Sequence, residues 1–252
     1  MNIYKLGKKP VKVDHRTLQM SRYRTTAPIE VPAEVSWVTK LSNLGEMLND
    51  QIGDCTVAAA GHMIQQWSTY AAQPVIVPDS AILTAYEDPS VGDYSPNDPN
   101  TDNGAAMLDV LKYWRKTGIG GHKIAAFVQV NPRNALEVRE AVLLFGNVYM
   151  GAQLPASVQG ADAWTVPDGG TSSPDGMPGS WGGHCVPICA VSPETLTCIT
   201  WGSLLKMSHG FFADYVDEAY AVLSTDWIEK NGISPSQFNL AQLDADLRIV
   251  TG

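Results

Sequence analysis

Apolar residues recur at helical spacing through Val57, Ala60, Met63, Ile64 and Trp67, so Thr56 to Tyr70 reads as one long helix. Two further helices are predicted over Asp79 to Tyr86, opened by Asp79-Ser80, and over Ala105 to Lys116, stopped by Thr117-Gly118-Ile119-Gly120-Gly121. Asn134 can cap a fourth helix that runs to Phe145. The period then changes. Lys123 to Val130 alternates like a strand, and strands recur at Val148–Leu154, Cys185–Val191, Thr195–Trp201 and Ala219–Leu223. The text is helix-rich before about residue 147 and strand-rich after it, which makes the chain α+β. Three stretches follow: an extended, proline-punctuated basic arm over residues 1–31, a domain over 32–225, and an extension over 226–252. The domain has a helical half at about 32–147 and a β half at about 148–225. In the extension, Phe238, Leu240, Leu243 and Leu247 space a helix over Ser234 to Val250.

Composition narrows the class. At 252 residues, with 44% hydrophobic and 17% charged residues, the chain can bury a sizeable core and has no disordered signature. Its apolar run from Ala141 to Phe145 and on through Met150 is interrupted and too short to span a bilayer. The N-terminus has no apolar signal core, so secretion by a signal peptide is not expected, and a cytoplasmic or virion-associated location is. Charge is uneven. Seven of the basic residues lie in residues 1–25 of the arm (Lys5, Lys8, Lys9, Lys12, Arg16, Arg22, Arg24) beside only Asp14. The acidic remainder argues against nucleic-acid binding, and no membrane contact is implied. The arm can dock on its own acidic body or on a protein partner.

The chemistry concentrates at Cys55, which opens the alanine-rich helix just after Gln51-Ile52-Gly53-Asp54. A thiol at a helix N-terminus faces the positive end of the backbone dipole, which favours the thiolate. A glycine-preceded histidine far downstream, His184 in Trp181-Gly182-Gly183-His184, is the natural base for it. The four cysteines (Cys55, Cys185, Cys189, Cys198) read as reduced thiols. Zinc on His184, Cys185 and Cys189 is disfavoured because residues 184 and 185 of a strand point to opposite faces. Asp98, Asn100, Asp102 and Asp109 approach calcium-loop spacing, but Pro99 and a late glycine break it. No metal or cofactor is expected. His62 lies too far along the Cys55 helix to serve as base, and His209 reads as an exposed loop residue.

In order, these segments resemble the papain-like cysteine peptidase superfamily. Pro32-Ala33-Glu34-Val35-Ser36-Trp37 resembles its opening segment, and Gln51 and Cys55 resemble its oxyanion glutamine and nucleophile. Asp102-Asn103-Gly104 resembles its glycine-rich substrate loop, Gly183-His184 its histidine entry, and Thr200-Trp201-Gly202 the tail of its Asn-Ser-Trp-Gly motif. Closer still is a family encoded in bacterial and phage genomes with Gly-Asp-Cys, Gly-Gly-His and Thr-Trp-Gly motifs. The resemblance implies a helical N-terminal half and an antiparallel β-rich C-terminal half with a cleft between them. It also implies a Cys55/His184 thiolate–imidazolium pair acting on a peptide or protein substrate.

The chain departs from the pattern at two places. Gln51 is four residues ahead of Cys55, where the family has six, and Ile199 falls where the histidine-orienting asparagine should be. An isoleucine accepts no hydrogen bond. Thr200 takes that role only if the strand turns its hydroxyl inward, and Asp217 or Glu218 is the other candidate. Three functions therefore compete: a cysteine peptidase or amidase, a catalytically impaired papain-fold phage or prophage structural or binding protein, and an acyl transferase of transglutaminase type.

Overall fold

The computed structural model describes residues 4–22 and 30–227. The extension helix expected over Ser234 to Val250 lies outside the described residues. After a short strand β1 (Val35–Ser36) the chain enters helix α1 (Cys55–Tyr70), then α2 (Asp79–Glu87) and α3 (Met107–Lys116). Strand β2 (Ile124–Gln129), helix α4 (Ala135–Phe145) and strands β3 (Val148–Leu154) and β4 (Ala163–Trp164) follow. The chain continues with β5 (Gly182–Val191), β6 (Thr195–Thr200), β7 (Ser203–Ser208), helix α5 (His209–Tyr215) and β8 (Val216–Ser224).

The strands form one sheet in the order β2-β8-β3-β5-β6-β7-β4, with β1 added beside β5. Its pairings are antiparallel except between β4 and β7. Strand β2 belongs by sequence to the helical half, yet it pairs with β8 and extends the sheet.

Helix α1 is the organising element. Val57, Ala60, Met63, Ile64 and Trp67, the residues that set its period, are all fully buried. Of its sixteen residues only Thr69 is not buried, so α1 is a central helix rather than a surface one. One side chain cluster joins α1 to Trp114 of α3, Tyr149 of β3 and Tyr220 of β8. A second lies on the far face of the sheet around Met150, Val186, Ile188 and Phe211. Both faces of the central strands are therefore covered, which explains why they read as nearly continuous apolar runs.

The end of α4 is fixed by three tryptophans. The indole N–H groups of Trp37, Trp227 and Trp67 donate to the carbonyls of Val142 (2.9 Å), Leu144 (2.8 Å) and Phe145 (2.6 Å). The Val142 carbonyl also accepts the Gly146 N–H that closes the helix (3.0 Å), so the indoles anchor the last turn of α4 to its neighbours. At the other end Asn134 caps the helix by accepting from the Glu137 N–H.

Several expectations shift in detail. Asp79 lies in the first turn of α2, and Pro78 caps it. Strand β7 and helix α5 stand where a loop was expected, and His209 opens α5 with Nε2 2.9 Å from the Ser192 carbonyl. No helix among the described residues is long and apolar enough to cross a membrane.

Candidate active site

Residues 4–9 of the basic arm do not lie over an outer surface; they run between the two halves. The Lys8 N–H donates to the Gly183 carbonyl at 3.0 Å on the β side. On the helical side the Lys9 N–H donates to the Ala105 carbonyl (3.0 Å), and the Gly7 carbonyl accepts from the Ala105 N–H (2.8 Å). This makes a parallel bridge between Lys8 and Ala105. Only glycine permits so close a fit. A Cβ on Gly7 would lie 1.6 Å from the Gly53 carbonyl oxygen, and one on Gly104, already at φ +74, would lie 1.9 Å from the Gly7 oxygen. Gly104 and Ala105 thus form the wall along which the arm passes, and Gly183 forms the facing wall; Asn103 is exposed, and its amide donates to the Asn100 carbonyl at 2.9 Å.

Cys55 is the first residue of α1 and is 1% exposed. Burial pushes its thiol up to about 12, although the backbone N–H groups of Cys185 and Gly7 act in the opposite direction. The helix dipole therefore does not decide the charge state while the arm is in place. His184 is equally buried, and burial lowers its imidazole to about 3. Both shifts run against the thiolate–imidazolium pair while the cleft is closed.

His184 is held on two sides. Its Nε2 lies 2.8 Å from the Thr200 hydroxyl oxygen, and its ring stacks on Trp201 with centroids 4.4 Å apart. Its Nδ1 is buried and has no hydrogen-bond partner among the described residues. Alternation along β6 explains the switch from Ile199 to Thr200. Ile199 packs on the opposite face with Leu44 and Cys189, which leaves the next side chain to turn toward the imidazole. Trp201 adopts φ +45 at the turn into β7, and Tyr4 of the arm stacks on it at 4.3 Å. Asp217 and Glu218, the other candidates for orienting His184, pair instead with Lys8. As expected for adjacent strand residues, Cys185 faces the α1 cluster while His184 faces Trp164 and Trp201.

Gln51 is not brought to the cleft: it is exposed, and its amide points to the Asp50 carboxylate at 3.4 Å. The buried amide in this turn belongs to Asn49, whose Nδ2 donates to the Lys5 carbonyl (3.3 Å) and the Ile52 carbonyl (3.2 Å). Asn49 was missed because the glutamine attracted attention by residue type. The available signal was distance along the chain, since Asn49 is six residues ahead of Cys55.

Asp102 braces the same turn. Both of its carboxylate oxygens accept from the Gly53 N–H (2.9 and 3.1 Å), and one accepts from the Tyr86 hydroxyl (2.7 Å). The Tyr86 oxygen in turn accepts from the Gly104 N–H at 2.8 Å. One carboxylate therefore ties the turn before Cys55 to the loop that walls the cleft. The other acidic residues of the calcium-like run are also engaged, Asp98 with Asn100 and Asp109 with Lys12. His62 packs inside the helical half against the Gly45 carbonyl at 3.1 Å.

No protein-family model matches the sequence, and no curated protein matches it either. Solved structures do match in shape. Xylellain, a cysteine protease from Xylella fastidiosa, superposes with a TM-score of 0.66 at 14% identity, over 87% of this chain and 96% of that one. The cysteine protease and lectin-like domains of Cwp84 from Clostridium difficile match at TM-score 0.59 and 9% identity, over 87% and 55%. Digestive procathepsin L 3 of Tenebrio molitor matches at 0.57 and 9%, over 88% and 77%. The chain therefore has the α+β fold of the papain-like cysteine proteases.

Proposed function

We propose that this chain is a papain-fold cysteine hydrolase, a peptidase or amidase, held closed by its own N-terminal arm. The observation that carries the reading is the placement of Cys55. It heads the central helix with its thiol against the backbone N–H of Cys185, one residue from an imidazole braced by Thr200 and Trp201.

In the open form, water returns to the cleft and removes the desolvation that keeps both groups neutral, so a proton passes from Cys55 to His184. The Cys55 sulfur bonds to the substrate carbonyl carbon as the carbonyl π electrons move to oxygen. The Cys55 backbone N–H and the Asn49 amide donate to that oxyanion. Asn49 takes the role expected of Gln51, because its amide already holds a peptide carbonyl, that of Lys5. Collapse breaks the carbon–nitrogen bond, and His184 gives its proton to the departing amine. Water, deprotonated by His184, then displaces the thiolate from the thioester and releases the acid. Thr200 and Trp201 are positioning residues that fix the ring.

Alkylation tests this. In a Lys8→Ala chain, iodoacetamide at pH 6 should modify Cys55 faster than a model thiol, and His184→Ala should abolish the excess rate. A rate no greater than the model thiol's supports the second reading, a papain-fold scaffold that has lost activity. One observation favours that reading: Ile199 stands in the place of the orienting asparagine and packs on the opposite face with Leu44 and Cys189.

A further inference from the structure

The arm inserts a lysine side chain into the β half, and the cavity that receives it is built without the arm's help. Lys8 Nζ lies 2.9 Å from Asp217 Oδ2 and 3.1 Å from Glu218 Oε1, with the lysine side chain wholly inaccessible and that of Glu218 1% exposed. Both carboxylates are fixed from the sheet. Gln153 Nε2 donates to Asp217 Oδ2 at 2.8 Å, and the Tyr220 hydroxyl donates to Glu218 Oε2 at 3.0 Å. The channel leading to them exists because residue 151 of β3 is a glycine, where a Cβ would lie 2.1 Å from Lys8 Cε. The arm backbone beside this side chain is hydrogen-bonded to both walls of the cleft, as an extended peptide lying there would be.

We propose that Asp217, Glu218 and Gly151 form a specificity pocket for a basic side chain of the substrate, with Lys8 as its intramolecular occupant. The inference rests on the hydrolase reading. When the arm lifts, two adjacent carboxylates remain in a half-buried socket, and such a pair demands a cation. Glu218 Oε1 makes no hydrogen bond apart from its ion pair with Lys8, and Asp217 Oδ1 is buried without a hydrogen-bond partner among the described residues. That spare acceptor suits the additional donors of a guanidinium, so arginine should fill the pocket as well as lysine does.

Two measurements on the full chain test this. Peptidyl acyloxymethyl ketones that differ only in arginine or leucine next to the reactive residue are compared for Cys55 labelling in Lys8→Ala. The arginyl reagent should react about tenfold faster or more. Adding Glu218→Gln should bring the ratio toward one. Gly7→Ala, whose Cβ would meet the Gly53 carbonyl oxygen and displace the arm by another route, is run in parallel, so the ratio stays readable if Lys8→Ala folds poorly. Separately, n-butylammonium, the severed lysine side chain, should raise the melting temperature of Lys8→Ala, whereas 1-butanol should not. Equal labelling by the two reagents, or rescue by the alcohol as good as by the ammonium, overturns the pocket. Ammonium rescue with a Cys55 inert to both reagents overturns the hydrolase reading instead.

Discussion

The hydroxyl of Thr200 and the imidazole of His184 meet at 2.8 Å, on β6 and β5, one residue beyond Ile199, which stands where the resembled pattern has its orienting asparagine. The hydroxyl accepts from or donates to Nε2 according to tautomer, and leaves Nδ1 as the nitrogen free to exchange a proton. Thr200→Val removes the only hydrogen bond to the ring among the described residues and should cost about 1–3 kcal/mol of stability. Hydrolysis should fall by about tenfold or more as the ring loses its fixed angle. The pH profile of Cys55 alkylation should shift, which a purely structural loss would not produce. Denaturant melts and alkylation rates from pH 5 to 9 check both effects.

Asp102 binds two elements at once, so its conservative replacement should be costly. Asp102→Asn puts an amide N–H against either the Gly53 N–H or the Tyr86 hydroxyl, and should lower stability by about 1–3 kcal/mol. Tyr86→Phe removes one hydroxyl and leaves the Gly104 N–H without its acceptor, with an expected cost of about 1 kcal/mol. Because the two side chains share one hydrogen bond, the double variant should lose less than the sum of the single losses. Urea unfolding of the four proteins reads this directly.

Two histidines make the closed form sensitive to acid. Burial lowers His184 to about 3 and His62 to about 4, both from an ordinary 6.5. Below pH 6.5 the unfolded chain binds protons that the folded chain does not, so stability falls as pH falls, and continues to fall until the folded values are reached. Each histidine contributes a slope of up to about 1.4 kcal/mol per pH unit. Melting temperatures between pH 7 and 4 should decline steeply, and His62→Gln should flatten the decline. An unchanged slope in that variant would assign the effect to other groups.

Gly7 allows the arm to pass over Gly53, and Gly7→Ala removes that passage. Its Cβ would lie 1.6 Å from the Gly53 carbonyl oxygen in the turn before Cys55, so the arm is the element that must move. Cys55 alkylation should accelerate, and a protease should cut residues 4–13 sooner, while the remainder of the fold keeps its hydrogen-exchange protection.

Legibility from sequence followed the range of the interactions involved. Helix α1, helix α4 with its Asn134 cap, and most of the central strands were readable because their signals are local periods and caps. The elements that carry the candidate residues were also readable: Cys55 opens α1, and His184 lies on a strand, stacked on Trp201. The ion pairs of Lys8 and the arm's path through the cleft were not, because each depends on contacts between residues far apart in the chain. Lys8 meets Asp217 across 209 positions, and no window of sequence contains that relation. Helix α5 was missed because seven residues are too few to establish a period.

The bridge between Lys8 and Ala105 also sets the terms on which any other peptide can enter. A tethered occupant competes at an effective concentration on the order of millimolar, whatever the dilution of the protein. The apparent affinity for a free peptide is then its intrinsic affinity multiplied by the fraction of chains whose arm is out. Diluting the protein does not raise that fraction, but cutting the tether does, and so does a partner that captures the arm's lysines. Such a protein would respond to an event at its N-terminus as a threshold, with turnover limited by how often the arm departs rather than by the chemistry at Cys55.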